Sequence, residues 1–146
     1  MYAAIPPTRR AGLHGRIAKA LEEAAGAERE QICERLAFHW DQGGDREKAV
    51  EFLLMAGEKA RRQYVNEEAV RFFQRALALL GEPSAPEGME MQLRALAGMG
   101  KVHDVLGRPD EMERCFRRAI ELAWSWTGRG RRSHRCASAA VSRSTA

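Results

Sequence analysis

No apolar run in these 146 residues approaches the roughly 20 needed to cross a membrane, which excludes a spanning segment. The opening "MYAAIPPTRRAGLHGR" lacks an apolar core followed by a small-residue cleavage site. It reads as no signal peptide, and the expected location is cytoplasmic. Cysteine is scarce: Cys33, Cys115 and Cys136 are odd in number and none is paired at C-x-x-C spacing. That excludes a disulfide scaffold or zinc ribbon and leaves free thiols. No segment alternates apolar and polar residues with strand-forming side chains, so no sheet is expected.

The groupings that carry chemistry are missing too. Gly43–Gly44 joins two expected helices rather than a strand and a helix, and it has no lysine where a phosphate loop needs one. Cys33 and His39 are six residues apart, whereas metal ligands on one helix favour three or four. Cys115 with His103 has neither a third member nor an oxyanion hole. His14 reads as a helix-contact residue, and His134 and Cys136 have no scaffold to hold a geometry. No catalytic, cofactor or metal site is expected, and the chain reads as a non-enzyme.

Acids are absent from residues 125–146, which carry Arg129, Arg131, Arg132, Arg135 and Arg143. Those five charges exceed the net +4 of the whole chain and leave residues 1–124 at −1. The body therefore lacks the positive field of a nucleic-acid binder. The tail, rich in Ser, Arg, Ala and Gly, buries too little apolar area to offset its ordering entropy. It is expected to be a disordered basic tail without function; the alternative is that "GRGRR", residues 128–132, meets phosphate without sequence choice.

What is present is helical periodicity. Six helices are expected, over about 9–25, 28–42, 46–64, 66–80, 89–106 and 109–124. Gly26, Gly43–Gly44 and Gly107 stop three of them. Asp45 and Asn66 stand as caps, and Pro109 suits a first turn. Residues 81–88, "GEPSAPEG", form a loop by composition. The fold class is all-α, with short connections that force neighbours antiparallel.

Small residues recur in register. "GDREKAVEFLLMA" aligns with "GRPDEMERCFRRA": Gly44 falls on Gly107, Leu53 on Phe116 and Ala56 on Ala119. In the preceding helices Leu36–Ala37–Trp40 falls on Met99–Gly100–His103. Helices three and four form a further unit, with Gly57 and Ala60 on one and Ala69, Phe73 and Ala76 on the other. This pattern resembles the tetratricopeptide repeat, in which small residues let two helices approach and a bulky neighbour fills the gap. Ala49 to Ala69 spans 20 residues and Ala76 to Ala119 spans 43, against the family's ~34. The resemblance implies a right-handed superhelix of antiparallel hairpins over residues 28–124, after an N-terminal helix over 1–27 left from a preceding helical domain.

"RRAGLHGRIAKALE" followed by "LAFHWDQGGDREKAVEFLLMAGEKARRQYVNEEAVRFFQRALALL" also resembles the helical region behind the nucleotide-binding module of large bacterial STAND-type signalling ATPases, cyclase-linked or LuxR-type. That resemblance implies a scaffold or sensor arm without its ATPase. The expected partner is a protein or peptide, met by His39, Gln42, Arg61, Tyr64, Gln92 and Lys101. An alternative is a small-molecule inducer sensor with Trp40, Phe52 and Phe73 lining a pocket. Self-association is expected through end helices, centred on Ile120, Trp124 and Trp126.

Overall fold

The structure, a computed structural model, describes residues 5–141, with side chains as far as Thr127. Its helices are α1 (Pro7–Ala25), α2 (Cys33–Gly43), α3 (Arg46–Arg62), α4 (Asn66–Leu80), α5 (Pro86–Val105) and α6 (Pro109–Val141). Among the described residues every regular element is helical, and no helix is long and apolar enough to cross a membrane.

Three of the turns are one device. Gly44, Tyr64 and Gly107 all have positive φ, at 82°, 60° and 65°. In each case the next N–H reaches back five residues to a carbonyl: Asp45 to Trp40, Val65 to Ala60, Arg108 to His103. This is the left-handed closure that satisfies the last carbonyls of a helix and reverses the chain. Asp45 then caps α3, its carboxylate accepting from the Lys48 N–H at 3.1 Å. Pro109 opens α6 as its first residue.

Four boundaries differ from the sequence expectation. The second helix begins at Cys33, not near Glu28, because Gly26 takes φ +51° and a 3-10 turn follows. The Arg29 guanidinium bonds back to the Gly26 carbonyl and holds that turn. Asn66 is the first residue of α4 rather than its cap, because Val65 takes the flanking position when Tyr64 turns left-handed. The fifth helix starts at Pro86, where proline's fixed φ suits a first turn. The sixth helix does not end at Trp124. The disordered tail expected over residues 125–146 is helical backbone as far as Val141, and residues 142–146 lie outside the described ones. No proline follows Pro109, and alanine and arginine favour helix.

Each helix packs on its sequence neighbour, and α3 packs on α5 as well. Two ion pairs also span alternate helices. Arg75 on α4 grips Asp41 on α2 with two bonds of 2.9 and 2.8 Å, and Lys48 on α3 reaches Glu22 on α1 at 2.8 Å. These bonds tie α4 to α2 and α3 to α1 through long side chains, whereas α3 and α5 pack directly. The core runs between the helices through Leu36, Val50, Phe52, Leu54, Phe73 and Val102, all at most 2% exposed. At the α1–α2 contact a Cβ on Gly43 would stand 3.0 Å from the Gly15 nitrogen, so the two backbones touch.

Candidate interaction face

Two phenylalanine rings are seated on glycines. Phe73 of α4 lies between Gly57 of α3 and Gly98 of α5. A Cβ on Gly57 would stand 2.7 Å from the Phe73 Cε1, and one on Gly98 would stand 2.5 Å from its Cζ. Phe116 of α6 lies on Gly100 of α5, where a Cβ would stand 2.7 Å from its Cζ. Gly57 to Phe73 and Gly100 to Phe116 are both 16 residues, and the two pairs are 43 residues apart. Hairpin α3–α4 thus corresponds to hairpin α5–α6. The 63-residue alignment that placed Leu53 on Phe116 describes the turns, while the 43-residue step describes the packing.

The two copies differ in one respect. Phe73 is fully buried because α5 covers its second side with Gly98, whereas Phe116 is 38% exposed. Among the described residues nothing covers it there. Ile120 and Trp124 continue the same stripe at steps of four and are 57% and 69% exposed. Trp126, grouped with them in the sequence expectation, is half-buried. Glu113 stands where the first copy has the buried Val70. The α6 face is therefore apolar with a carboxylate set into it.

Beside this face a cleft of about 410 Å³ opens between α4 and α6. Leu77, Leu96, Met99 and Cys115 line it, with Arg114 and Arg118 at its rim. Burial, aided by Glu111, pushes the Cys115 thiol up, which favours its neutral form. Burial and Glu34 likewise raise the Cys33 thiol to about 11. Among the described residues no three of His, Cys, Asp and Glu converge as metal ligands would.

The six candidate contact residues differ in exposure. Gln42, Tyr64 and Lys101 are exposed. Arg61 is half-buried and paired with Glu58 on its own helix. His39 is turned inward, its Nδ1 2.9 Å from the Nδ1 of His14, in a cluster closed by the edge of Phe38. Gln92 is corrected from a surface residue to an anchor: it is buried, and its amide donates to the Gly81 carbonyl and ties down the loop before α5. The pocket imagined around Trp40, Phe52 and Phe73 is closed. Phe52 and Phe73 are fully buried, and Trp40 packs against the same core.

Sequence reasoning missed Phe116 as the central residue of the exposed face. The signal was available: the 16-residue glycine-to-phenylalanine spacing occurs twice. Compared with family models, curated proteins and solved structures, the chain matches none of them.

Proposed function

We propose that this chain is a non-catalytic helical-repeat interaction module, built of tetratricopeptide-like hairpins and serving as a scaffold or sensor arm of a bacterial signalling regulator. The observation that carries the reading is the uncovered Phe116. The chain contains a helix face built in register with one that, 43 residues earlier, another helix covers. Exposed aromatic and aliphatic side chains on a rigid helix are the ordinary core of a protein–protein contact. The resemblance to STAND-type ATPases supports the arm reading, and the location it suggests is cytoplasmic.

A second reading, inducer sensing, draws support from the apolar cleft between α4 and α6. Its volume falls within the few hundred cubic ångströms usual for small-ligand sites.

The test uses the helix that already performs this task. A synthetic peptide of residues 86–105, with Val102→Arg to meet Glu113, is titrated into the full chain while tryptophan emission is followed. Saturable binding with a blue shift is expected, and Ile120→Glu should abolish it. An unchanged spectrum at high peptide would contradict a helix-docking face. A blue shift that survives Ile120→Glu would place the contact elsewhere and contradict it equally.

A further inference from the structure

Resting on the reading of α6 as a docking face, we propose that its occupant is α1 of a second copy of this chain. The helices pack antiparallel, with Gly12 seating Phe116 and Arg16 meeting Glu113.

The first support is register. Gly12 precedes Gly98 by 86 residues, two of the 43-residue steps, and Ala11–Gly12–Leu13 parallels Ala97–Gly98–Met99. Gly98 is the glycine that closes over Phe73. Its counterpart on α1 is open, since a Cβ on Gly12 would meet nothing within 4 Å. Leu13 and Ile17 beside it are 38% and 42% exposed. With Arg16, Lys19 and Ala20 they border a shallow cleft on the outward side of α1. Glycine at such a point lets an aromatic ring approach the helix backbone.

Charge supplies the second support. In an antiparallel pair the residue one turn before Phe73 lies level with the residue one turn after Gly98. These are Val70 and Val102, both buried in the same core cluster. In the proposed contact the corresponding pair is Glu113 and Arg16. The buried apolar pair of the internal interface is thus replaced by opposite charges, as suits a contact that also meets water. Glu113 also pairs with Arg117 on its own helix, but both side chains are 65% exposed, so that pair is worth little and leaves a carboxylate oxygen free. Around these positions α1 presents Arg9, Arg16 and Lys19, with Glu23 at the edge, and α6 presents Asp110, Glu113 and Glu121, with Arg117. The signs are complementary.

The contact is heterologous, so a bound pair leaves one α1 and one α6 free and assembly continues head to tail.

Sedimentation of the full chain over a wide concentration range tests the proposal. The average mass should rise with concentration. Gly12→Leu, which fills the seat at an open helical position, should weaken association at least about tenfold, or 1.4 kcal/mol. Arg16→Glu and Glu113→Arg should each weaken it, and the double variant should restore it. A mixture of the Gly12→Leu chain with the Ile120→Glu chain should stop at a one-to-one dimer. A monomer at every concentration would overturn the proposal. So would association that Ile120→Glu abolishes and Gly12→Leu leaves unchanged. That last result would keep α6 as a docking face and remove α1 as its occupant, whereas failure of the peptide titration would remove the face itself.

Discussion

The ring of Phe73 occupies the space that a side chain on Gly98 would need, and a Cβ there would stand 2.5 Å from the ring's Cζ. Both residues are buried and the ring has Gly57 behind it, so it has nowhere to retreat. Gly98→Ala should therefore destabilise by roughly 1–3 kcal/mol, as overpacking does, despite alanine's better helix propensity. Gly12→Ala, at an open helical position, should instead stabilise by roughly 1 kcal/mol. Urea denaturation of both variants, read at one low protein concentration, checks the contrast. Equal shifts of the same sign would mean that the two glycines stand in the same surroundings.

Tyr64 is the one non-glycine among the described residues with positive φ, and it is 78% exposed. An L-residue held left-handed costs about 1–2 kcal/mol, part of which glycine would return at the price of added freedom in the unfolded chain. Tyr64→Gly should raise stability by roughly 0.5–1 kcal/mol. The matching changes Gly44→Ala and Gly107→Ala should each lower it by about 1 kcal/mol. Thermal melts of the three variants settle whether the turns are equivalent: a loss at Tyr64→Gly would show that the ring makes a stabilising contact.

Burial, then the neighbouring His14 and Arg35, hold the His39 imidazole below the usual histidine range. The folded chain therefore carries fewer protons at this site than the unfolded chain. Its contribution is full above about pH 6.5 and is lost as pH falls through that unfolded value toward the lower folded one. The urea midpoint should drop between about pH 7 and pH 5.5, and His39→Gln should flatten the slope. Glu34, which burial raises but the hydrogen bonds and charge of Lys59 together with local hydrogen bonds lower by more, acts in a separate window below its ordinary value of 4.5. A flat midpoint in the unmodified chain would contradict the role assigned to His39.

Where the sequence carried a backbone signal, the element was legible. Gly44 and Gly107 turn, Asp45 caps and Pro109 opens a helix as their chemistry dictates. Tyr64 shows the limit: the same turn forms there without glycine, because packing on both flanking helices decides the closure. The start of α2 was hidden for a related reason. Residues 29–32 are as helix-compatible as those after them, and it is the Arg29 bond back to Gly26 that holds the chain in a turn. Gln92 looked like a surface amide because nothing in the sequence shows that Gly81 brings a carbonyl to it. The exposed face was half legible. Ile120 and Trp124 stand out by type, but Phe116 becomes its centre only when its seat on Gly100 is matched to that of Phe73 on Gly57.

Phe116 is in register with Phe73 but uncovered, and alanine substitution at the two positions tests that most directly. In dilute solution, Phe73→Ala should cost roughly 3–5 kcal/mol, as removal of a fully packed phenylalanine does. Phe116→Ala, with one side of its ring open, should cost no more than about half as much. Equal costs in dilute monomer would show that Phe116 is already covered, and the docking face would not exist.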